Sequence, residues 1–347
     1  MDRIAARLAE VARDGRYILG PEVSAFEREF AAYLGTDHAV GVGNGTDALT
    51  IALRAVGVQA GDEVVCPSLT FYASAESIVN AGARPVFCDV DPDTLCVTPD
   101  SVCPHLTDRT RAIVAVHLFG NVAPVADLRE LGLPVVEDAA QAAGARLHGA
   151  RAGALGDAAT FSFFPSKNLP CLGDGGAITT SSDEVAERAR SLRFHGSSDK
   201  KTHTEVGYNS RLDSLQAAVL RLLLPELDGW NRRRRAAALA YAEAGMAEFA
   251  QLPVTTTGAE HVYHLYVVRS AEPDRLQEAL SGAGVQARGY YRTPVHRQPA
   301  MSAFAGGELP VTDAAARTLL ALPMGPELAD EQVESVVVAA AGARAPA

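Results

Sequence analysis

The sequence predicts an α/β protein: a large domain over residues 1–245 built on a buried, mostly parallel sheet, followed by a smaller α+β domain over 246–347. Three observations predict it. Short apolar runs alternate with amphipathic helical stretches through the first two thirds of the chain, which is the rhythm of βαβ units. Past Met246 that rhythm gives way to a sparser mixture of strand and helix. The chain has 347 residues and is 48% hydrophobic, enough for a large core and a smaller one.

The opening helix carries Ile4, Leu8 and Val11 at helical spacing and stops at Gly15. A turn-bearing arm, Arg16 to Val23, leads to a second helix with Phe26 and Phe30 on one face. The run from Ala39 to Val42 reads as a strand feeding the turn Gly43-Asn44-Gly45, with a helix from Thr46 to about Val56. The first-turn N–H groups of such a helix, together with its dipole, make an anion site, although Thr46 or Asp47 serves equally as a plain N-cap. Strands are expected at 63–66, 85–90, 110–116 and 134–138, with helices at 72–81 and 125–131. Ligands of such sheets collect at the carboxyl ends of the strands. Asp138 stands at one of these ends and Phe71 shortly after another, so Asp138 is a functional candidate, with helix capping as its competing role.

The stretch Thr160-Phe161-Ser162-Phe163-Phe164-Pro165-Ser166-Lys167 is the chemical focus. The chain has only three lysines, and the other two, Lys200 and Lys201, lie in a polar run. A lysine behind an apolar, aromatic strand loses solvent, which lowers its pKa and frees a nucleophilic amine for a carbonyl. A lysine that closes the strand with its head in water is the competing reading. Gly173-Asp174-Gly175-Gly176 reads as a turn into another strand, which places Lys167 on an inter-strand loop. A helix runs from Ser214 to about Leu224, Pro225 interrupts it, and a second begins near Leu227. In that helix the run Arg232 to Arg235 reads as a solvated face. Beyond 246, a strand at 261–269, a helix at 274–282 and a last helix from Asp330 complete the small domain.

A net charge of −11 gives no electrostatic reason to bind nucleic acid or an anionic membrane. The five cysteines include no Cys-x-x-Cys pair, which suggests neither a disulfide framework nor a metal site and fits a reducing cytoplasm. No export signal and no membrane span are expected.

Taken in order, Gly43-Asn44-Gly45-Thr46-Asp47-Ala48-Leu49, Thr70-Phe71, Val136-Glu137-Asp138-Ala139-Ala140-Gln141, Ser162-Phe163-Phe164-Pro165-Ser166-Lys167-Asn168, Gly173-Asp174-Gly175-Gly176-Ala177 and Asn209-Ser210-Arg211-Leu212-Asp213-Ser214-Leu215-Gln216 resemble the DegT/DnrJ/EryC1/StrS family of sugar aminotransferases. The resemblance covers nearly the whole chain. It implies the pyridoxal-phosphate-dependent transferase type I fold, the aspartate-aminotransferase-like fold, with pyridoxal 5′-phosphate (PLP, or its amine form PMP) as cofactor. It further implies Lys167 as the Schiff-base and proton-shuttling residue and Asp138 as partner of the pyridinium nitrogen. Gln141 falls at the position that bonds the ring hydroxyl and Phe71 at that of the stacking aromatic, with Tyr72 the alternative stacker. Gly45, Thr46, Asp47 and Ser162 become the phosphate site, and Asn209 the residue that reaches a neighbouring subunit's cofactor in an obligate homodimer.

The implied reaction moves an amino group from L-glutamate to a nucleotide-linked keto-hexose. Tyr290-Tyr291-Arg292-Thr293-Pro294-Val295-His296-Arg297-Gln298 and the arm at Tyr17 resemble relatives acting on 3-keto sugars, which favours C3 over C4. Arg292 departs from the proline often found there. Tyr17, Arg211, Tyr290, Tyr291, His296 and Gln298 are the expected substrate residues. A dehydrating offshoot of the family carries histidine in place of the lysine and is set aside because Lys167 is present. A non-catalytic regulatory protein on the same fold is the alternative from another class.

Overall fold

The computed structural model describes residues 2–343. Its centre is a seven-stranded sheet of β1 (His38–Val42), β2 (Glu63–Pro67), β3 (Arg84–Cys88), β4 (Thr110–Val116), β5 (Val135–Asp138), β6 (Ala158–Ser162) and β7 (Gly176–Thr180), in the spatial order β1-β7-β6-β5-β4-β2-β3. Four of the six pairings are parallel; the two involving β7 are antiparallel. Helices cover both faces, so Val64, Val65, Ile113, Val114 and Val136 are all fully buried and their strands read as unbroken apolar runs.

One consequence of strand alternation positions the site. Along β6 and just past it, Phe161 and Phe163 turn to the face covered by the helix Pro21–Leu34, where Phe161 meets Phe30 edge-on at 4.9 Å and Phe163 meets Phe26 at 5.4 Å. Ser162 and Phe164 therefore face the other way, toward the carboxyl edge of the sheet. A tight turn, closed by the Lys167 N–H donating to the Phe164 carbonyl at 2.8 Å, follows at once.

The helix Ser214–Leu223 begins at Asp213, whose carboxylate accepts from the Gln216 N–H at 2.9 Å. Gln216 in turn accepts from the Leu172 N–H at 2.8 Å and so holds the loop that follows Lys167. The arm lies against the same helix start, with the Ser214 N–H donating to the Tyr17 carbonyl at 2.7 Å.

A second core gathers Ala238, Tyr241, Met246, Tyr266, Leu276, Leu280, Leu320 and Val333 around the antiparallel pair Tyr266–Arg269 and Leu319–Leu322. It begins inside the helix Leu227–Glu243, several residues before 246. The strand expected over 261–269 forms only at Tyr266–Arg269. Residues 261–265 instead lie along the loop after β4, where the Val262 N–H donates to the Gly120 carbonyl at 3.0 Å and the Leu265 N–H to that of Phe119 at 3.3 Å. A side chain at Gly120 would meet the His264 nitrogen at 2.9 Å, so only glycine admits this approach. The run Arg232 to Arg235 also departs from the sequence reading: Arg234 is buried, 7% exposed, whereas Arg232 and Arg233 are exposed. Among the described residues no helix is long and apolar enough to cross a membrane.

Candidate active site

A cavity of about 790 Å³ opens at the carboxyl edge of the sheet. The turn after β1 supplies one rim. Asn44 caps the helix Gly45–Ala55 by accepting from the Asp47 N–H at 2.8 Å. That occupies the Asp47 amide, expected from sequence to face a phosphate; the first-turn N–H groups of Gly45 and Thr46 have no intrahelical carbonyl to reach. A Cβ on Gly45 would come within 2.8 Å of the Ser162 Cβ, so glycine lets this rim close onto Ser162. Gly45, Thr46, Asp47 and Ser162 all line the cavity.

Asp138 stands at the end of β5 in the cavity floor. Its Oδ2 accepts from the Ser74 hydroxyl at 2.7 Å and its Oδ1 from the Ala140 N–H at 3.2 Å, and Thr70 Oγ1 lies 2.8 Å from Ser74 Oγ. Two donors hold the carboxylate in place. Lys167 lines the same cavity. Burial pushes its amine down to about 8, with the Asp138 charge opposing the shift. The desolvation comes from the cavity walls, since Phe161 and Phe163 face the other side of the sheet.

Gln141 is 7% exposed and has both ends engaged: its Oε1 accepts from the Phe119 N–H at 2.7 Å and its Nε2 donates to the Tyr291 hydroxyl at 3.0 Å. One amide hydrogen is left for any ring hydroxyl. Phe71 lines the cavity with its ring 6.1 Å from that of Tyr291, whereas Tyr72 packs with Phe87, Val295 and Met301. Tyr290 and Tyr291 complete the wall facing Phe71.

Five of the residues expected from sequence lie outside the cavity of their own chain. Tyr17 is exposed and donates its hydroxyl to the Ala12 carbonyl at 2.9 Å. Asn209 is exposed in a bridge with Phe194, and the Arg211 guanidinium lies 5.5 Å from the Phe194 ring. His296 is buried away from the cavity, its Nδ1 2.5 Å from Ser68 Oγ and its Nε2 3.5 Å from Asp313 Oδ1. Gln298 donates to the Thr293 carbonyl at 3.3 Å. Arg292, the departure from proline, pairs with Asp274 and donates to Gln277 Oε1 at 3.0 Å on the helix Pro273–Gly282. The segment 289–298 thus brings its tyrosines to the cavity and spends its other polar side chains on anchoring itself.

Two basic cavity residues are not among those expected from the sequence. Arg234, from the helix Leu227–Glu243, and His264, from the stretch laid along Gly120, line the same cavity. A periodic stripe of buried positions, Leu227, Asn231, Arg234, Ala238 and Tyr241, was the signal that marks Arg234 as inward-facing.

Residues 1–340 match the model of the DegT/DnrJ/EryC1/StrS aminotransferase family. The chain belongs to that family. It is 47% identical over 340 residues to the dTDP-3-amino-3,4,6-trideoxy-alpha-D-glucose transaminase of Streptomyces venezuelae, covering 96% of this chain and 89% of the relative. It is also 45% identical over 339 residues to a pleiotropic regulatory protein of Geobacillus stearothermophilus, covering 95% of this chain and 91% of that protein. Among solved structures, S. venezuelae DesV in complex with a ketimine intermediate superposes with a TM-score of 0.94 at 46% identity, covering 97% of this chain and 93% of that one. The architecture is accordingly the type I fold of PLP-dependent transferases, and the chain is an aminotransferase by family.

Proposed function

We propose that this protein uses pyridoxal 5′-phosphate to transfer the amino group of L-glutamate to a nucleotide-linked 3-keto-hexose, releasing 2-oxoglutarate. The observation that carries the reading is the amine of Lys167, lowered to about 8, in one cavity with an anchored Asp138 and a helix start closed onto Ser162. When bound, the cofactor supplies a carbonyl carbon that exchanges amines and a cationic ring that withdraws electrons from the substrate carbon. The residues present fit that group. The Gly45 and Thr46 amides and the Ser162 hydroxyl hold its phosphate at a helix N-terminus. Asp138, held in place by Ser74 and Ala140, would partner the ring nitrogen. Phe71 offers a flat apolar face to the ring. Lys167 keeps a large neutral fraction near pH 8, so its Nζ can take a proton from one carbon and return it to another.

Asn209, Tyr17 and Arg211 are assigned to the cavity of a second subunit in a homodimer, a role supported by the exposure of Tyr17 and Asn209 and by the absence of all three from the lining of their own cavity. The C3 assignment is supported by the name of the S. venezuelae relative and by Tyr290 and Tyr291, whose ring hydroxyls can meet sugar oxygens. A mismatched sugar isomer leaves such a buried donor unpaired, at roughly 1–3 kcal/mol each. The Geobacillus relative's name favours a regulatory reading, against which stands the joint presence of Lys167, Asp138 and Gln141.

The test offers the holoenzyme NDP-3-amino and NDP-4-amino hexoses with 2-oxoglutarate and follows glutamate. Faster turnover of the 3-amino sugars is expected. Faster turnover of the 4-amino sugars overturns the C3 assignment, and no turnover of either, with a yellow protein that L-glutamate fails to bleach, favours the regulatory reading.

A further inference from the structure

His117 and Glu137 are both wholly buried and take no part in the chemistry assigned above. Glu137 precedes Asp138 on β5 and, by strand alternation, points to the opposite face of the sheet. Its carboxylate takes four donors there: the N–H groups of Gly153 and Leu155 at 2.8 Å, that of Gly156 at 2.7 Å, and His117 Nε2 at 2.8 Å. The other ring nitrogen of His117, Nδ1, accepts from the Ala123 N–H at 3.1 Å. A backbone N–H can only donate, so the ring hydrogen sits on Nε2, facing Glu137. Three backbone amides fix the carboxylate, the carboxylate fixes the ring, and the ring holds Ala123.

The stretch clasped between His117 and Ala123 carries Phe119. Its φ of 59° lies in the left-handed region, which a residue with a side chain keeps only where its surroundings impose it. In that conformation its N–H donates to Gln141 Oε1 at 2.7 Å. A backbone donor admits only the oxygen of an amide, so the Gln141 side chain cannot turn over, and its NH2 is left to the Tyr291 hydroxyl and the cavity. Without the Phe119 N–H, either end of that amide could face the cavity.

We propose that the His117–Glu137 pair is a positioning device for the cofactor: by clasping Ala123 it holds the Phe119 turn, and that turn keeps the NH2 of Gln141 toward the ring hydroxyl. The role rests on the pyridoxal phosphate reading above and adds to it what orients Gln141. His117 itself touches neither cofactor nor substrate, and it acts on the ring only through that amide.

The experiment titrates the cofactor-free full chain with PMP, which forms no covalent bond to Lys167 and so reads only the contacts around the ring. Gln141→Ala is expected to raise the half-saturating PMP concentration about two- to tenfold, the range for one uncharged hydrogen bond. His117→Gln, which can still reach Glu137 but leaves the Ala123 N–H unmet, should raise it by a similar factor. His117→Asn, whose oxygen can take the place of Nδ1, should bind PMP like the wild type. In a Gln141→Ala background His117→Gln should add nothing, whereas a merely structural histidine would add its loss in full. The absorbance band of bound PLP should move in the same direction in His117→Gln and Gln141→Ala and stay in place in His117→Asn. Hydrogen exchange of the cofactor-free wild type checks the clasp without any variant: the Phe119 amide should be protected as the amides of β5 are. Equal losses in His117→Asn and His117→Gln, full additivity with Gln141→Ala, or a rapidly exchanging Phe119 amide overturns the proposal and leaves the cofactor reading standing. A wild type that binds no PMP overturns both.

Discussion

The sheet-edge wall of the cavity and its other wall carry different kinds of residue, and they are assembled differently. On the sheet edge, Gly45, Thr46, Asp138, Ser162 and Lys167 each sit at or just past a strand end, and short local devices fix them: the Asn44 cap, the Ser74 and Ala140 donors, the turn onto Phe164. The other wall takes Arg234 from a helix middle, His264 from a stretch held off the sheet by Gly120, and Tyr290 and Tyr291 from a segment pinned elsewhere by Arg292 and His296. A wall set by local geometry should tolerate no exchange of its few groups. A wall set by packing should lose affinity by degrees.

The largest effect is therefore expected on the sheet edge. Asp138→Asn leaves a side chain of the same shape, with its oxygen still facing Ser74, but removes the charge that holds a proton on the ring nitrogen. Its kcat/KM should fall about 10²- to 10³-fold, as for loss of one well-placed electrostatic group, with the bound-cofactor spectrum altered at unchanged folding. A fall of less than about tenfold would mean that Asp138 serves only as a structural acceptor.

A second expectation concerns the cofactor-free protein and the pH dependence of Lys167. Its amine is lowered from the ordinary 10.5 to about 8. Only the neutral amine attacks a carbonyl, so covalent uptake of pyridoxal phosphate should rise about fiftyfold from pH 6 to pH 8 and level off above that. A rise that continues toward pH 10.5 would show an ordinary solvated lysine. The sign for stability follows from the same shift. The unfolded chain holds the Lys167 proton over pH 8 to 10.5 while the folded one releases it, so the group's cost is full below pH 8 and is relieved as pH climbs through that window. Lys167→Met should accordingly raise the Tm of the cofactor-free protein at pH 7, with the gap closing by pH 10.5.

The other wall supplies the smallest effect. His296 reaches the site only through Ser68 and the segment it anchors. Phe is apolar and of similar size, so His296→Phe should cost the sugar half-reaction about fivefold, near 1 kcal/mol, mainly in KM, with the L-glutamate half-reaction little changed. A comparable loss with L-glutamate would show that the segment shapes the whole cavity.

The same contrast explains what was legible in the sequence. Strand ends, glycine turns and caps are local, so β1 to β7, the Gly45 turn, Asp138 and the Lys167 loop could be read from residues a few positions apart. The Asn44 cap on the Asp47 amide is not evident from the sequence, where Thr46 and Asp47 themselves read as cap candidates. Arg234 was hidden in a run of four arginines, three of which do face outward or lie at the margin, and only the stripe from Leu227 to Tyr241 betrays it. His264 was assigned to a strand because apolar residues flank it, whereas contact with the Gly120 loop, over 140 positions away in the chain, decides its conformation. His296 and Gln298 sit in a motif that marks the right segment but not which of its side chains enter the cavity.

Lys167 is proposed above as the amine that carries the cofactor. Borohydride reduction of the purified holoenzyme, followed by digestion and mass spectrometry, tests it directly. The expected result is a single pyridoxyl group on the peptide containing Lys167, removed by prior incubation with L-glutamate and absent from Lys167→Ala. A pyridoxyl group on Lys200 or Lys201, or none on a protein that still transfers amines, would contradict it.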